Sequence, residues 1–246
     1  MPPRFHVPLP LQGGADLELP EAVARHVQVL RLQPGAPLTL FDGRGGEWSA
    51  EVVRMGRRDV QVRVGTHVPA SRELGLAVTL ALGMPANERM DTLVEKACEL
   101  GVAAIQPLLC ERSVLRLAGE RAQKKVQHWQ AVAVAACEQS GRTRVPEIAP
   151  VHTLADWLAA LPAAAAGPRL MLSLREPGPL PTPAAVRMLT TLSALSGPEG
   201  GLSEAEESAA RLRGFVPVSL GARTLRADTA PLALLAHLAL TVEGIP

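Results

Sequence analysis

The chain has 246 residues, 47% of them hydrophobic, and a formal net charge of +1, which supplies core for one large domain or two smaller ones in a soluble globular protein. Cys98, Cys110 and Cys137 are an odd number without CxxC spacing, and the six histidines are scattered, so neither a disulfide framework nor a metal centre is expected. Prolines interrupt the first ten residues where a signal peptide needs an apolar run, and the late apolar stretch 231–240 is broken by His237 and reaches about half a membrane span, so a cytoplasmic protein without membrane attachment is expected.

The first seventy or so residues read as short strands at 37–41, 47–53 and 59–64 with one helix over 20–30, a small β-rich domain. The glycine cluster at 43–46 fails the GxGxxG pattern because Trp48 fills its last place, and reads as a hairpin turn after Asp42. Residues 69–75 mix Pro, Ser, Arg, Glu and Gly ahead of an apolar run at 76–82, which puts a domain boundary at 72/73 and gives domains 1–72 and 73–246.

Beyond that boundary helices and strands alternate. A helix over 87–100 aligns Met90, Leu93, Val94, Ala97 and Leu100 on one stripe; a strand at 103–109, a long helix at 119–139, and strands at 168–174, 189–195 and 215–220 follow. Alternation of this kind predicts an α/β fold with a mostly parallel sheet covered by helices on both faces. Residues 112–144 carry seven basic against two acidic side chains, a local phosphate-binding face or a solvated helix surface. With three Phe, three Trp and no Tyr, extensive base stacking is not expected, so RNA would be held by arginines and shape.

Two late segments carry the chemistry. In SGPEGGLSEAEE, residues 196–207, a strand ending at Ser196 enters a turn made by Gly197, Gly200 and Gly201, and Ser203 with Glu206 forms the capping box of the next helix. Glu199 inside the turn and Glu204, Glu206 and Glu207 after it make the loop a poor cradle for phosphate, since each carboxylate within about 4 Å of a phosphate charge costs roughly 1 kcal/mol even in water. A nucleoside without phosphate, or a ligand with positive charge, fits better, and S-adenosylmethionine is both. In SLGARTLRADTA, residues 219–230, Ser219, Leu220 and Gly221 end a strand, Leu225 is apolar within a polar loop, and Asp228 or Thr229 can cap a helix with Pro231 in its first turn.

Together with EKACELGVAAIQPL at 95–108, Glu111-Arg112-Ser113 and EQSGRTRVPE at 138–147, this pair of loops resembles the SPOUT methyltransferases, and within them the RsmE type, over roughly residues 73–240. The stretch RHVQVLRL at 25–32 is similar to the PUA-like RNA-binding domain of the same family. The resemblance implies a trefoil knot in the sheet domain, which no strand pattern predicts. It also implies a homodimer and S-adenosylmethionine-dependent methylation of N3 of a uridine in small-subunit ribosomal RNA. The alternatives are a SPOUT enzyme acting on a ribose hydroxyl or another base of tRNA or rRNA, and a non-catalytic RNA-binding protein.

Carried over by motif position, the cofactor would be held by Gly197, Pro198, Glu199, Gly200 and Gly201 on one side, Ser219, Leu220, Gly221, Leu225 and Arg226 on the other, and Leu172 at the base of a third loop. Arg226 would stabilise charge on the uracil oxygens, Glu199 or Asp228 would take the proton, and Arg4, Arg25, Arg31, Arg112 and Arg142 would contact RNA. The chain departs from the family at Ala86, where a lysine is usual, at Asp228 for a usual Glu, and at Ser196 for a usual aliphatic residue.

Overall fold

A computed structural model describes residues 2–86, 88–164 and 166–244; Asn87, where the expected second helix begins, lies outside them. By its contacts the chain forms two units, one of residues 1–73 with 134–145, the other of residues 74–133 with 146–246.

The first unit holds a five-stranded sheet in the order β1-β3-β4-β5-β2, made with its helix α1 (Glu21–Val29) from β1 (Arg4–His6), β2 (Asp16–Glu18), β3 (Pro37–Phe41), β4 (Glu47–Met55) and β5 (Val60–Val68). β3 and β4 pair antiparallel across the Asp42 turn, where Gly43, Gly45 and Gly46 all have positive φ, which accounts for the glycine cluster as a hairpin. Alternate residues of the strands point inward. Leu38, Leu40, Ala50, Val52, Val60, Val62 and Val64 meet Ala24 and Val27 of α1 in one core. The strands β1 and β2, three residues each, were not anticipated, because three residues are too few to show a period.

In the second unit β6 (Ala77–Gly83), β7 (Ala104–Leu109), β8 (Glu147–Ile148), β9 (His152–Thr153), β10 (Arg169–Leu172), β11 (Thr191–Ser196) and β12 (Phe215–Val218) form a seven-stranded sheet in the order β12-β10-β11-β6-β7-β8, with β9 also on β7. Every strand pair in it is parallel. The helices are α2 (Arg89–Glu99), α3 (Gly119–Ser140), α4 (Leu154–Ala160), α5 (Pro183–Arg187), α6 (Glu204–Leu212) and α7 (Thr229–Glu243), of which the end of α3 belongs to the first unit. Ala81, Met171 and Leu195 turn to the face covered by Leu154 and Leu158 of α4 and Ala210 of α6. Their strand neighbours Leu80, Leu170 and Ala194 are buried on the opposite face by the pleat, and α7 packs on β11, α2 and α5. The stripe expected on α2 is buried at Met90, Leu93, Val94 and Ala97, while Leu100 follows as the C-cap residue.

Because all the strands are parallel, their C-terminal ends lie along one edge, and β10, β11 and β12 are neighbours there. Parallel α/β sheets place ligands at such strand ends.

Candidate active site

Three loops leave that edge: residues 173–182 after β10, 197–203 after β11 and 219–228 after β12. They enclose a cavity of about 530 Å³ whose walls include Leu172, all of residues 196–202, Ser219, Leu220, Gly221, Leu225 and Arg226. Every residue assigned to the cofactor from the sequence lies on this one wall system. Its size suits a nucleoside-sized ligand.

The middle loop is fixed by close backbone contacts. The Gly201 amide donates to the Pro198 carbonyl at 2.8 Å, and Gly201 has φ +68°, a conformation that favours glycine. A side chain at Gly197 would meet the Leu202 nitrogen at 2.8 Å, and one at Gly83, at the end of β6, would meet the ring and nitrogen of Pro198 at 2.5 Å. Arg112 Nη1 donates to the Gly200 carbonyl at 3.0 Å. The capping box of α6 is formed, with the Glu206 amide donating to Ser203 Oγ at 3.2 Å and the Ser203 amide to Glu206 Oε2 at 2.8 Å. Ser203→Ala removes this cap and is expected to destabilise the protein by about 1 kcal/mol, read as a lower midpoint in urea at unchanged slope. In the third loop the Gly221 amide donates to Ser219 Oγ at 3.1 Å, with Gly221 at φ +113°.

Glu199 does not stand free in the cavity. Its Oε1 accepts the Ala86 amide at 2.9 Å and lies 3.5 Å from Arg89 Nη1, so the side chain clasps the middle loop to the loop after β6. Arg89 thereby supplies a cation close to Ala86, where the family's lysine is missing. Arg226, by contrast, is exposed and makes no side-chain hydrogen bond or ion pair among the described residues. Asp228 does not cap α7 as expected: it sits in helical φ/ψ, its side chain makes no cap bond, and its Oδ1 is buried without a partner.

Sequence reasoning missed Arg89, Arg175 and Arg223, which join Arg112 and Arg226 on the cavity wall, and also Ser173 and Glu207. Five arginines against Glu199 and Glu207 give the cavity a positive balance. Burial pushes the thiol of nearby Cys110 up to about 12, helped by the charge of Glu206, so it is protonated at neutral pH and is no nucleophile. All three cysteines are buried, and among the described residues no group of His, Cys, Asp and Glu could hold a metal ion.

The five arginines proposed for RNA fall into two groups. Arg25 is exposed and pairs with Glu21 at 3.7 Å, Arg31 is exposed at φ +54° beyond α1, and Arg112 is exposed at the cavity. Arg4 and Arg142 are interior groups of the first unit, with side chains 7% and 5% exposed. Arg4 pairs with Glu47 and donates to the carbonyls of Gly141 and Arg142 at 3.2 and 3.0 Å. Arg142 donates to Glu73 Oε2 from Nε at 3.0 Å and from Nη2 at 2.5 Å, while the Thr143 and Arg144 amides donate to Glu73 Oε1. Their guanidinium groups are committed to internal acceptors, and they hold residues 141–144 to the sheet rather than face solvent.

Comparison with known proteins agrees with this arrangement. Residues 72–239 match the RNA methyltransferase domain family, and residues 19–65 the RNA methyltransferase PUA domain. The chain is 34% identical to the ribosomal RNA small subunit methyltransferase E of Synechocystis sp., over 94% of this chain and 75% of that one. It is 30% identical to the protein of the same name from Bacillus subtilis, over 91% and 89% of the two chains. A ribosomal RNA small subunit methyltransferase E from Neisseria gonorrhoeae, solved bound to S-adenosyl methionine, superposes with a TM-score of 0.90 at 36% identity over 98% of both chains. With the glycine loops, the parallel sheet and matches over nearly its whole length, the chain belongs to the RNA methyltransferase domain family and, within it, to the ribosomal RNA small subunit methyltransferase E proteins.

Proposed function

We propose that this protein transfers a methyl group from S-adenosylmethionine to N3 of a uridine in 16S ribosomal RNA. The observation that carries the reading is the convergence of three strand-end loops on one cavity, lined by glycine backbone and holding Glu207 in its wall. Bare main chain lets a flat nucleoside lie close, and the Glu207 carboxyl group offers acceptors to hydroxyl donors. The relative of known structure that contains S-adenosyl methionine supports the same assignment.

When bound, S-adenosylmethionine supplies a methyl group activated on a sulfonium. The chain's own part is to hold the uracil nitrogen about 3 to 3.5 Å from that carbon, in line with the breaking bond, and to manage the imide proton. N3 lies on the Watson–Crick edge, so the target base must be unpaired or turned out of its stack. Arg226, on the cavity wall without a side-chain partner among the described residues, would neutralise charge on the uracil oxygens. Asp228 Oδ1, beside the cavity in sequence and without a donor among the described residues, is the other candidate for the proton, since the oxygen of Glu199 already serves Ala86 and Arg89. Glu199→Gln keeps an acceptor for the Ala86 amide and loses only a half-exposed ion pair, so methylation is expected to fall by no more than about fivefold. A loss of a hundredfold or more in a methyl-transfer assay would return Glu199 to the role of base.

Arg25 and Arg31 of the PUA-like unit and Arg112 at the cavity are the proposed phosphate contacts, with Arg121 and Lys124 exposed on α3. A homodimer is part of the proposal: α7 is mostly apolar, and Leu240 is 59% exposed on it. No helix among the described residues is long and apolar enough to cross a membrane, and ribosomal RNA as substrate is consistent with a cytoplasmic site of action. Nucleoside mass mapping of 16S rRNA treated with the protein tests the reading: N3-methyluridine supports it, and a 2′-O-methyl product or none at all contradicts it.

A further inference from the structure

The first turn of α6 carries three acidic residues, and the structure uses them in three different ways. Glu204 is exposed to solvent. Glu206 engages both oxygens, accepting the Ser203 amide at 2.8 Å and the Glu111 amide at 2.7 Å. Glu207, one step of about 100° further round the helix, is 8% exposed and lines the cavity. Among the described residues its side chain has one partner, the Ser173 hydroxyl, which lies 3.0 Å from Oε1 and 3.1 Å from Oε2.

One hydroxyl proton cannot occupy the acceptor capacity of a carboxyl group, which has about four lone-pair sites. A buried acid with so little compensation is costly, and the N-terminal end of α6 offsets only part of that cost. As mere wall, an apolar side chain would serve α6 as well without that cost, and the cavity lining also holds Leu172, Leu174 and Val218. The open acceptors therefore face a ligand that brings its own donors.

We infer that Glu207 is a ribose-recognition residue, its two oxygens accepting the vicinal 2′- and 3′-hydroxyls of the bound nucleoside, with Ser173 holding the carboxyl group in register. This deepens the methyl-donor reading above and rests on it. Two adjacent hydroxyls match two adjacent oxygens, the pairing by which acidic side chains hold ribose in dinucleotide sites. The amino-acid end of the donor carries a carboxylate as well as an ammonium, and the five arginines of the cavity suit that end.

Calorimetric titration with 5′-methylthioadenosine, its 2′-deoxy analogue and S-adenosylhomocysteine tests the inference, with circular dichroism as a check on folding. The wild-type protein is expected to bind methylthioadenosine about tenfold more tightly than the deoxy analogue. Glu207→Leu is expected to reduce that ratio to less than about twofold, and Glu207→Gln, with one acceptor oxygen, to an intermediate value. A purely structural Glu207 would lower affinity for both nucleosides alike and leave the ratio intact, which overturns the inference. So does a wild-type ratio near one, or a Glu207→Leu protein weakened toward S-adenosylhomocysteine alone, which would mark an ammonium contact. If the wild-type protein binds none of the three, the methyl-donor reading itself fails, and the two failures are distinct.

Discussion

Arg226→Ala is expected to lower the rate of methyl transfer by about 10²- to 10³-fold while S-adenosylhomocysteine binds within about threefold of wild type. The side chain lines the cavity, is exposed, and has no ion pair among the described residues to hold it back from a ligand. A guanidinium aimed at the uracil oxygens is worth most when N3 gives up its proton, because the charge then spreads onto those oxygens in a partly water-excluded site. Ground-state affinity changes little because the developing charge is absent until the reaction proceeds. Single-turnover methylation and calorimetry on the same protein check this. A parallel fall in both quantities would make Arg226 a cofactor ligand only, and wild-type turnover would remove it from the site.

Gly83→Ala should push a single methyl group into the 197–201 loop that walls the cavity. The added carbon would lie 2.5 Å from the Pro198 nitrogen and ring, and 2.9 Å from the Gly197 carbonyl carbon. These are backbone and ring atoms with no rotamer to yield, so β6 or the 197–201 loop has to move. Overpacking of this kind costs about 1 to 3 kcal/mol, and because the displaced segment is the wall of the cavity, S-adenosylhomocysteine binding should fall by more than about tenfold. Gly75→Ala is the control: its nearest neighbour would be Val242 Cγ1 at 3.5 Å, an ordinary contact, and stability and binding should both stay near wild type. Equal behaviour of the two variants would mean that the Gly83–Pro198 contact does not set the loop.

Much of the site is legible in the sequence because glycine placement encodes backbone shape. Gly197, Gly201 and Gly221 sit where close approach or positive φ is needed, and strand-turn-helix order brings their loops to one edge of a parallel sheet. The stripe on α2 and the hairpin at 43–46 are readable for the same reason: periodicity and turn chemistry are local. What was not legible depends on partners distant in the chain. Arg4 and Arg142 look like any surface arginines until folding brings Glu47 and Glu73 to them. Glu199 was read as a candidate base because nothing in GPEGG announces that Ala86 and Arg89 will occupy it. Glu207 is one of three acids within four residues, and only the helical step separates the buried one from Glu206. Helical position could have flagged it, since residues one apart on a helix point about 100° apart. A knot depends on how the chain threads, which periodicity does not record.

The burial of Arg4 and Arg142 also shifts where RNA affinity is expected to reside. Phosphate contacts come from exposed side chains, which leaves Arg25, Arg31 and Arg112 of the five, with Arg121 and Lys124 exposed on α3. Arg4 and Arg142 instead belong to the stability of the first unit, where removing one partner of a buried ion pair leaves the other uncompensated.

If this cavity brings a methyl donor to N3 of a uridine in 16S rRNA, the product itself carries the proof. Unmethylated 16S rRNA, incubated with the protein and S-adenosylmethionine carrying a labelled methyl group, is digested to nucleosides and analysed by mass spectrometry. Label is expected in N3-methyluridine, at a single position, and strongly diminished with Arg226→Ala. Label in a ribose 2′-O-methyl group or in another base, or no incorporation by a folded wild-type protein, would contradict it.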